Sequence, residues 1–397
     1  MKNIVCVCLA ALCLSVFALI PIACTESTSD SDGDYTPSDK DQAADGDPDS
    51  DGDTNDIIEQ EEQTPGTCQS YENGCCDKDE DCVKGSCFEH ICIIEPTEEA
   101  TVWWEHSHYS EEDHDKVGTY DQLFDGQTAR KPDLDCALEV VDIENAGTVT
   151  VKATVKVFGV ESPCTNLIVT AYTMYDEGDI RSDFSDPDND DHDASLSRGT
   201  VQSEPDENFE CHLDLANIPV GKWLVFKSYD INNIYFMDTY QWNVYIKPEE
   251  KEDGLYEMDV NAISNTTWQM IPGQADVPNG IQADRGAIAG TIKDCKGQLV
   301  KGATIGVSML PTSLVYFNAN VSNLLPYPAN AASDKDSTYS AVNQPSGIVR
   351  LLSLVKLNGE LVKVGEFKIR MLEQSVAIYS QHGPGPMNYG TFVKPSK

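Results

Sequence analysis

The chain has 397 residues and a formal net charge of −40, from 67 Asp and Glu against 27 Lys and Arg. It is long enough for about two or three domains. The balance excludes a nucleic-acid partner, because binding a polyphosphate depends on clustered Lys and Arg that release counterions, and it leaves attraction to anionic lipid headgroups unsupported.

Lys2 precedes an apolar run from Ile4 to Ala23, which ends at Cys24 and a switch to TESTSDSDGD. A basic start, an apolar centre and a small residue before the break are the layout of an export signal, expected over residues 1–23. Ile22-Ala23-Cys24 resembles the lipobox of bacterial lipoproteins, although Pro21 stands where that family prefers Leu. The resemblance implies that Cys24 is lipidated, becomes the mature N-terminus and anchors the chain in a membrane. The alternatives are an uncleaved anchor, since about 20 apolar residues span a bilayer, and release after cleavage. All three place the rest of the chain outside the cytoplasm.

Residues 24–67 read as a disordered acidic stalk. From 25 to 67 there are fifteen Asp or Glu against Lys40 alone and almost no apolar side chain to offset the entropy of ordering. As a loose coil this length spans about 40 Å. Asp47, Asp49, Asp51 and Asp53 have the D-x-D-x-D-G spacing of calcium loops. They resemble the loops of dockerins and thrombospondin type 3 repeats, but Ile58 stands where a bidentate Glu belongs. A solvated linker is the favoured reading, with calcium as the alternative cofactor.

Residues 68–95 hold Cys68, Cys75, Cys76, Cys82, Cys87 and Cys92 among few apolar residues. Such a unit needs covalent bonds to fold, most simply three disulfides out of fifteen connectivities. Zinc is the weaker reading, since no C-x-x-C pair is present and exported thiols oxidise. The spacing from Cys76 resembles the cysteine-rich units of the dickkopf N-terminal region, which implies a spacer or protein-contact knob.

Residues 96–135 read as an acidic connector. His106, His108 and His114 with Glu111 and Asp113 raise a metal reading, and His108-Tyr-Ser-Glu111 has the H-x-x-E spacing of zinc carboxypeptidases. No strand leads into it, and His192 or His212 would have to complete the site by chance, so a zinc hydrolase is the third reading. Trp103-Trp104 is expected to pack on a neighbouring domain rather than stack a sugar or peptide.

From Ala137 the apolar period becomes two. Strands are expected at Val149–Val160, Asn166–Tyr175, His212–Leu215, Lys222–Ser228, Tyr240–Ile246 and Tyr256–Ile263, between Pro, Gly, Asn and Asp turns, with no helix of comparable quality. About 130 residues later the plan repeats. Ala153–Phe158 with Leu167–Ala171 mirrors Gly290–Cys295 with Ala303–Val307, and Asn217–Leu224 mirrors Asn343–Leu351. Residues 136–265 and 284–397 therefore read as two antiparallel β-sandwiches.

Gly286–Ile305 followed by Tyr339–Gly347 resembles carboxypeptidase regulatory-like domains of transthyretin-like topology, with Ser337 where that family usually has Gly before the aromatic residue. Such domains are non-catalytic. Cys136, Cys164, Cys211 and Cys295 remain, and since the second sandwich owns only Cys295, full oxidation requires one bond between the sandwiches. Asp186, Asp188 and Asp190 lie in a polar insertion that is a second weak calcium candidate, with Asp191 replacing the turn glycine. No H-E-x-x-H, G-x-S-x-G, P-loop or G-x-G-x-x-G motif occurs. The fold expected is all-β: two tandem transthyretin-like sandwiches behind a signal, a stalk and a disulfide-rich module. The function expected is non-catalytic display at the cell envelope for an unknown protein or glycan ligand, with a calcium-dependent adhesin or carbohydrate binder as the alternative.

Overall fold

The computed structural model describes residues 75–103, 131–134, 146–158, 164, 167–176, 179–184, 195–201, 211–230, 232, 234–247, 254–294, 299–317 and 325–379. All of these lie in one compact unit, Glu61–Lys397. The signal, the stalk, Cys24, Asp47 to Asp53, Cys68, His108 and Glu111, Cys136, Asp186 to Asp190 and Cys295 fall outside the described residues.

The first strands are β1 (Ser86–Phe88), β2 (Ile91–Ile93) and β3 (Thr101–Trp103). A first lobe follows, with β4 (Thr148–Phe158), β5 (Ile168–Thr173), β6 (Tyr175–Asp176), β7 (Asp179–Ile180) and β8 (Ser197–Thr200). It continues through β9 (Cys211–Pro219), β10 (Trp223–Tyr229), β11 (Phe236–Met237), β12 (Thr239–Tyr245) and β13 (Leu255–Ser264). Helix α1 (Asn265–Gln274) leads into β14 (Arg285–Thr291), β15 (Leu299–Lys301), β16 (Thr304–Val307), β17 (Ser313–Phe317) and β18 (Pro326–Tyr327). The second lobe ends with β19 (Thr338–Pro345), β20 (Gly347–Leu357), β21 (Glu360–Met371) and β22 (Val376–Ile378).

All six strands expected in the first lobe form. In β4 the β-branched Val149, Val151 and Val155 alternate inward with Ala153, and all four are buried, as period-two patterning requires. They face Val169, Ala171, Leu224 and Phe226 of the opposite sheet. Each large apolar side chain so buried contributes about 1.5–3 kcal/mol over its exposed state.

The internal repeat is real at the level of pairing. In the first lobe β13 runs parallel to β4, and β4 antiparallel to β9. In the second, β22 runs parallel to β14, and β14 antiparallel to β19. The facing layers match as well: β12-β10-β5 corresponds to β21-β20-β16. Both copies carry a bulge at the same place, and Asn217 and Asn343 there take φ of 61° and 56°. Asn tolerates this left-handed backbone better than most residues.

The lobes are not separate beads. A nine-stranded sheet runs through both, in the order β18-β17-β19-β14-β22-β12-β10-β5-β8, because β22 pairs in parallel with β14 on one edge and β12 on the other. Gly290 permits this close seam, since a Cβ there would sit 1.6 Å from the Tyr379 carbonyl oxygen.

The connector expected over 96–135 contains a strand of the second lobe, because β3 pairs antiparallel with β15. Just upstream, the Glu99 carboxylate accepts the Asn358 and Gly359 backbone N–H groups at 2.7 and 2.6 Å, capping the β20–β21 turn. The cysteine-rich module likewise lies on this lobe. Ile91 and Ile93 bury against Leu352 and Leu354, and Gly306 leaves room for them. The first lobe is thus an insertion into the second.

Candidate ligand cavity between the lobes

The register of the seam decides which side chains share a face. Thr239 and Gln241 of β12 pair with Val376 and Ile378 of β22, which pair in turn with Ala287 and Ala289 of β14. Tyr240, Ala377 and Ile288 point the opposite way, into the main core. In the first lobe the Gln241 face is covered by the four-stranded sheet β11-β13-β4-β9. In the second lobe that face is covered by α1 and the segment after it, where Ile271, Ala275, Val277 and Ile281 pack on Val315 and Val342.

The helix is tied down at its start. Ser264 is its N-cap, with the hydroxyl accepting from the Thr267 backbone N–H at 3.1 Å. The Thr267 hydroxyl donates to the Phe158 carbonyl at the end of β4 at 3.1 Å. Since a single helix of ten residues cannot cover as wide a face as a sheet, a cavity of about 260 Å³ remains between α1, the end of β4, β13 and the floor of β14, β19 and β22.

Its wall is apolar. Phe158 and Phe317 meet edge to face at 5.9 Å, Trp268 and Ile271 come from the helix, and Ile263, Val376 and Ile378 form a small buried cluster. Three polar side chains of the lining spend their donors on the protein: Asn261 on Gln241 Oε1 at 3.0 Å, Ser340 on the Ile288 carbonyl at 3.1 Å and Thr338 on the Asp336 carbonyl at 3.2 Å. None of the described lining residues is charged, so this site can hold a molecule but offers no acid, base or metal ligand.

The residues singled out from the sequence lie elsewhere. Cys76–Cys87 and Cys82–Cys92 are disulfides with Cα separations of 5.8 and 5.5 Å, and Cys75 is disulfide-bonded too. The sulfurs of Cys76, Cys82 and Cys92 lie within 4.8 Å of one another, but as disulfide sulfurs they are not the thiolates zinc requires. Cys164–Cys211 closes within the first lobe. His212 stands on the exposed face of β9, with its Nδ1 3.2 Å from the Thr154 hydroxyl.

Two charged clusters had no sequence signal. Lys227 is buried, its ammonium 2.9 Å from Asp238 Oδ2 and 4.7 Å over the Tyr229 ring. At the module, Glu89 contacts Lys363 at 2.7 Å and Arg350 at 3.2 Å, while Glu366 contacts Lys363 at 3.0 Å and also Arg350. The second cluster clamps the cysteine-rich hairpin to the lobe. Among the described residues no helix is long and apolar enough to cross a membrane.

The architecture defines an all-β protein of two fused sandwiches with a disulfide-bonded module. The sequence matches no family model and no curated protein. Among solved structures it is similar to the shaft pilin SpaA of Lactobacillus rhamnosus GG, with 11% identity over 61% of this chain and 100% of that one, at a TM-score of 0.19. It is also similar to GBS52, the minor pilin of Streptococcus agalactiae, with 10% identity over 62% and 99% and a TM-score of 0.15. The Bacillus anthracis TIE protein shares 12% identity at a TM-score of 0.16, and here the match covers 59% of this chain and 34% of that one. None of the three superimposes as a whole.

Proposed function

We propose that the chain is a non-catalytic lipoprotein of the cell envelope, anchored through Cys24 in the outer membrane and presenting its fused sandwiches outward on the acidic stalk. Its role is contact with a protein or glycan, or a structural part in the envelope. The observation that supports this reading is the single nine-stranded sheet joining both lobes. Parallel pairing along β22 joins β12 to β14, so the described strands of both lobes share one sheet suited to carrying a surface. The disulfides of the module, Cys76–Cys87 and Cys82–Cys92 among them, and Cys164–Cys211 in the first lobe suit an oxidising exterior.

Mass spectrometry of the native N-terminal peptide tests the anchor. The expected product begins at Cys24 with acyl chains attached, and Cys24→Ser moves the protein from the membrane fraction to the soluble one. A chain recovered from the cytosol with Met1 in place and its cysteines reduced overturns the proposal.

A further inference from the structure

The two copies of the repeat differ at the positions that face the cavity. In the first lobe Lys152 pairs with Asp214 and Thr154 with His212, and Lys152, Asp214 and His212 are exposed. The matching pairs in the second lobe are Ala289 with Ser340 and Thr291 with Thr338. One outward face is charged and wet; its counterpart carries small uncharged residues and is roofed by α1. Had the roof served only to bury that face, larger floor residues would have closed the gap, because protein interiors pack to crystal-like density. The gap of about 260 Å³ stays open. An apolar cavity of about 150 Å³ remains dry and takes up benzene, so this one has room for a larger guest.

We propose that the cavity beneath α1 binds one small uncharged apolar molecule, the size of two fused or linked aromatic rings or of a medium-length hydrocarbon chain. Trp268 and the Phe158–Phe317 pair supply ring edges and faces, Ala287 and Ala289 leave the floor low, and Val376 and Ile378 line the seam. A charged guest would lose its hydration with no opposite charge in the described wall to replace it. The site is independent of the envelope reading, since nothing in it depends on what Cys24 carries.

The test is a titration of N-phenyl-1-naphthylamine into the full chain carrying Cys24→Ser, which keeps detergent out of the sample. One saturable site with raised, blue-shifted emission is expected, displaced by octan-1-ol and at least tenfold more weakly by octanoate. Ala289→Leu raises the floor into the cavity, so affinity falls tenfold or more while the melting temperature holds or rises. Ile281→Trp fills the space from the opposite wall while leaving every residue of the sheet as it is, and decides the matter if Ala289→Leu fails to fold. Ile348→Ser, at an exposed apolar residue of β20, leaves binding unchanged. Absence of a saturable site, unchanged affinity in a folded cavity-filling variant, or loss of binding in Ile348→Ser overturns the proposal. So does binding that appears only after the residues beyond Tyr379 are removed, which would make that segment the occupant.

Discussion

Ser337 shows how one substitution relative to a family pattern is accommodated. It is fully buried with φ of 54°, the left-handed region where glycine is cheapest, which accounts for the glycine expected there. Its hydroxyl lies 2.7 Å from the Ile292 carbonyl and 2.6 Å from that of Val300, contacts a glycine could not make. Ser337→Gly is therefore expected to cost about 1 kcal/mol or less, as relieved backbone strain offsets the lost hydrogen bond. Ser337→Val loses the bond and keeps the strain, costing about 2 kcal/mol or more in urea unfolding. Beside it, burial pushes the Asp336 carboxyl up from 3.8 to about 6, with the Asp334 charge adding to the shift. A raised carboxyl pKa favours the protonated folded state, so this stability is complete below about pH 4 and is lost as pH rises to about 6. The shift corresponds to at most about 3 kcal/mol, less for the part screened by water. Melting curves of Asp336→Asn and the parent should diverge between pH 4 and 6, the parent falling relative to the variant, and run parallel above.

Helix α1 and the β-strands differ in how they are written. β4 and β9 are legible because each buries one face, so alternation in the sequence is burial in the structure, while β5 and β10 are buried on both faces and are legible from their short β-branched and aromatic runs between turn residues. The helix is not legible. Asn265-Thr-Thr267 favours other conformations, Pro272 and Gly273 sit in the last turn, and Ser264 caps it without a Glu or Gln three residues on. The cavity is hidden for a related reason: Ala287 and Ala289 belong to a recognisable strand signature, and only the helix above them makes their small size a void. Docking of the cysteine-rich module was equally silent, since its clamp joins Glu89 to Arg350 and Lys363 across most of the chain. Glu89→Ala removes one carboxylate and leaves two cations sharing Glu366. It should lower stability by about 2 kcal/mol and make residues 75–95 the first site of limited proteolysis.

At the scale of the molecule, the repeat could be read from Asn217 and Asn343 with their flanking strands, whereas the insertion of the first lobe into the second could not. No local pattern encodes the pairing of β3 with β15. The expected bond between the lobes also sharpens. Cys164–Cys211 is internal to the first lobe, which leaves Cys136 and Cys295 as the remaining pair. Their neighbours already meet, as the Asp133 backbone N–H donates to the Asp294 carboxylate at 3.0 Å. Non-reducing peptide mapping should recover Cys136 linked to Cys295; a free Cys295 thiol would refute the crossing bond.

The seam strand has a consequence for how the protein matures. A ribosome delivers β12 and β14 well before Val376–Ile378, and a chain crossing a membrane in the same order spends an interval with both edges of the future seam bare. Unpaired edges of this kind invite neighbouring chains to dock on them. A product stopped after Ser375 should preserve both half-built sandwiches yet aggregate at concentrations where the longer polypeptide stays monodisperse, so the strand added last acts as the stitch that ends stickiness.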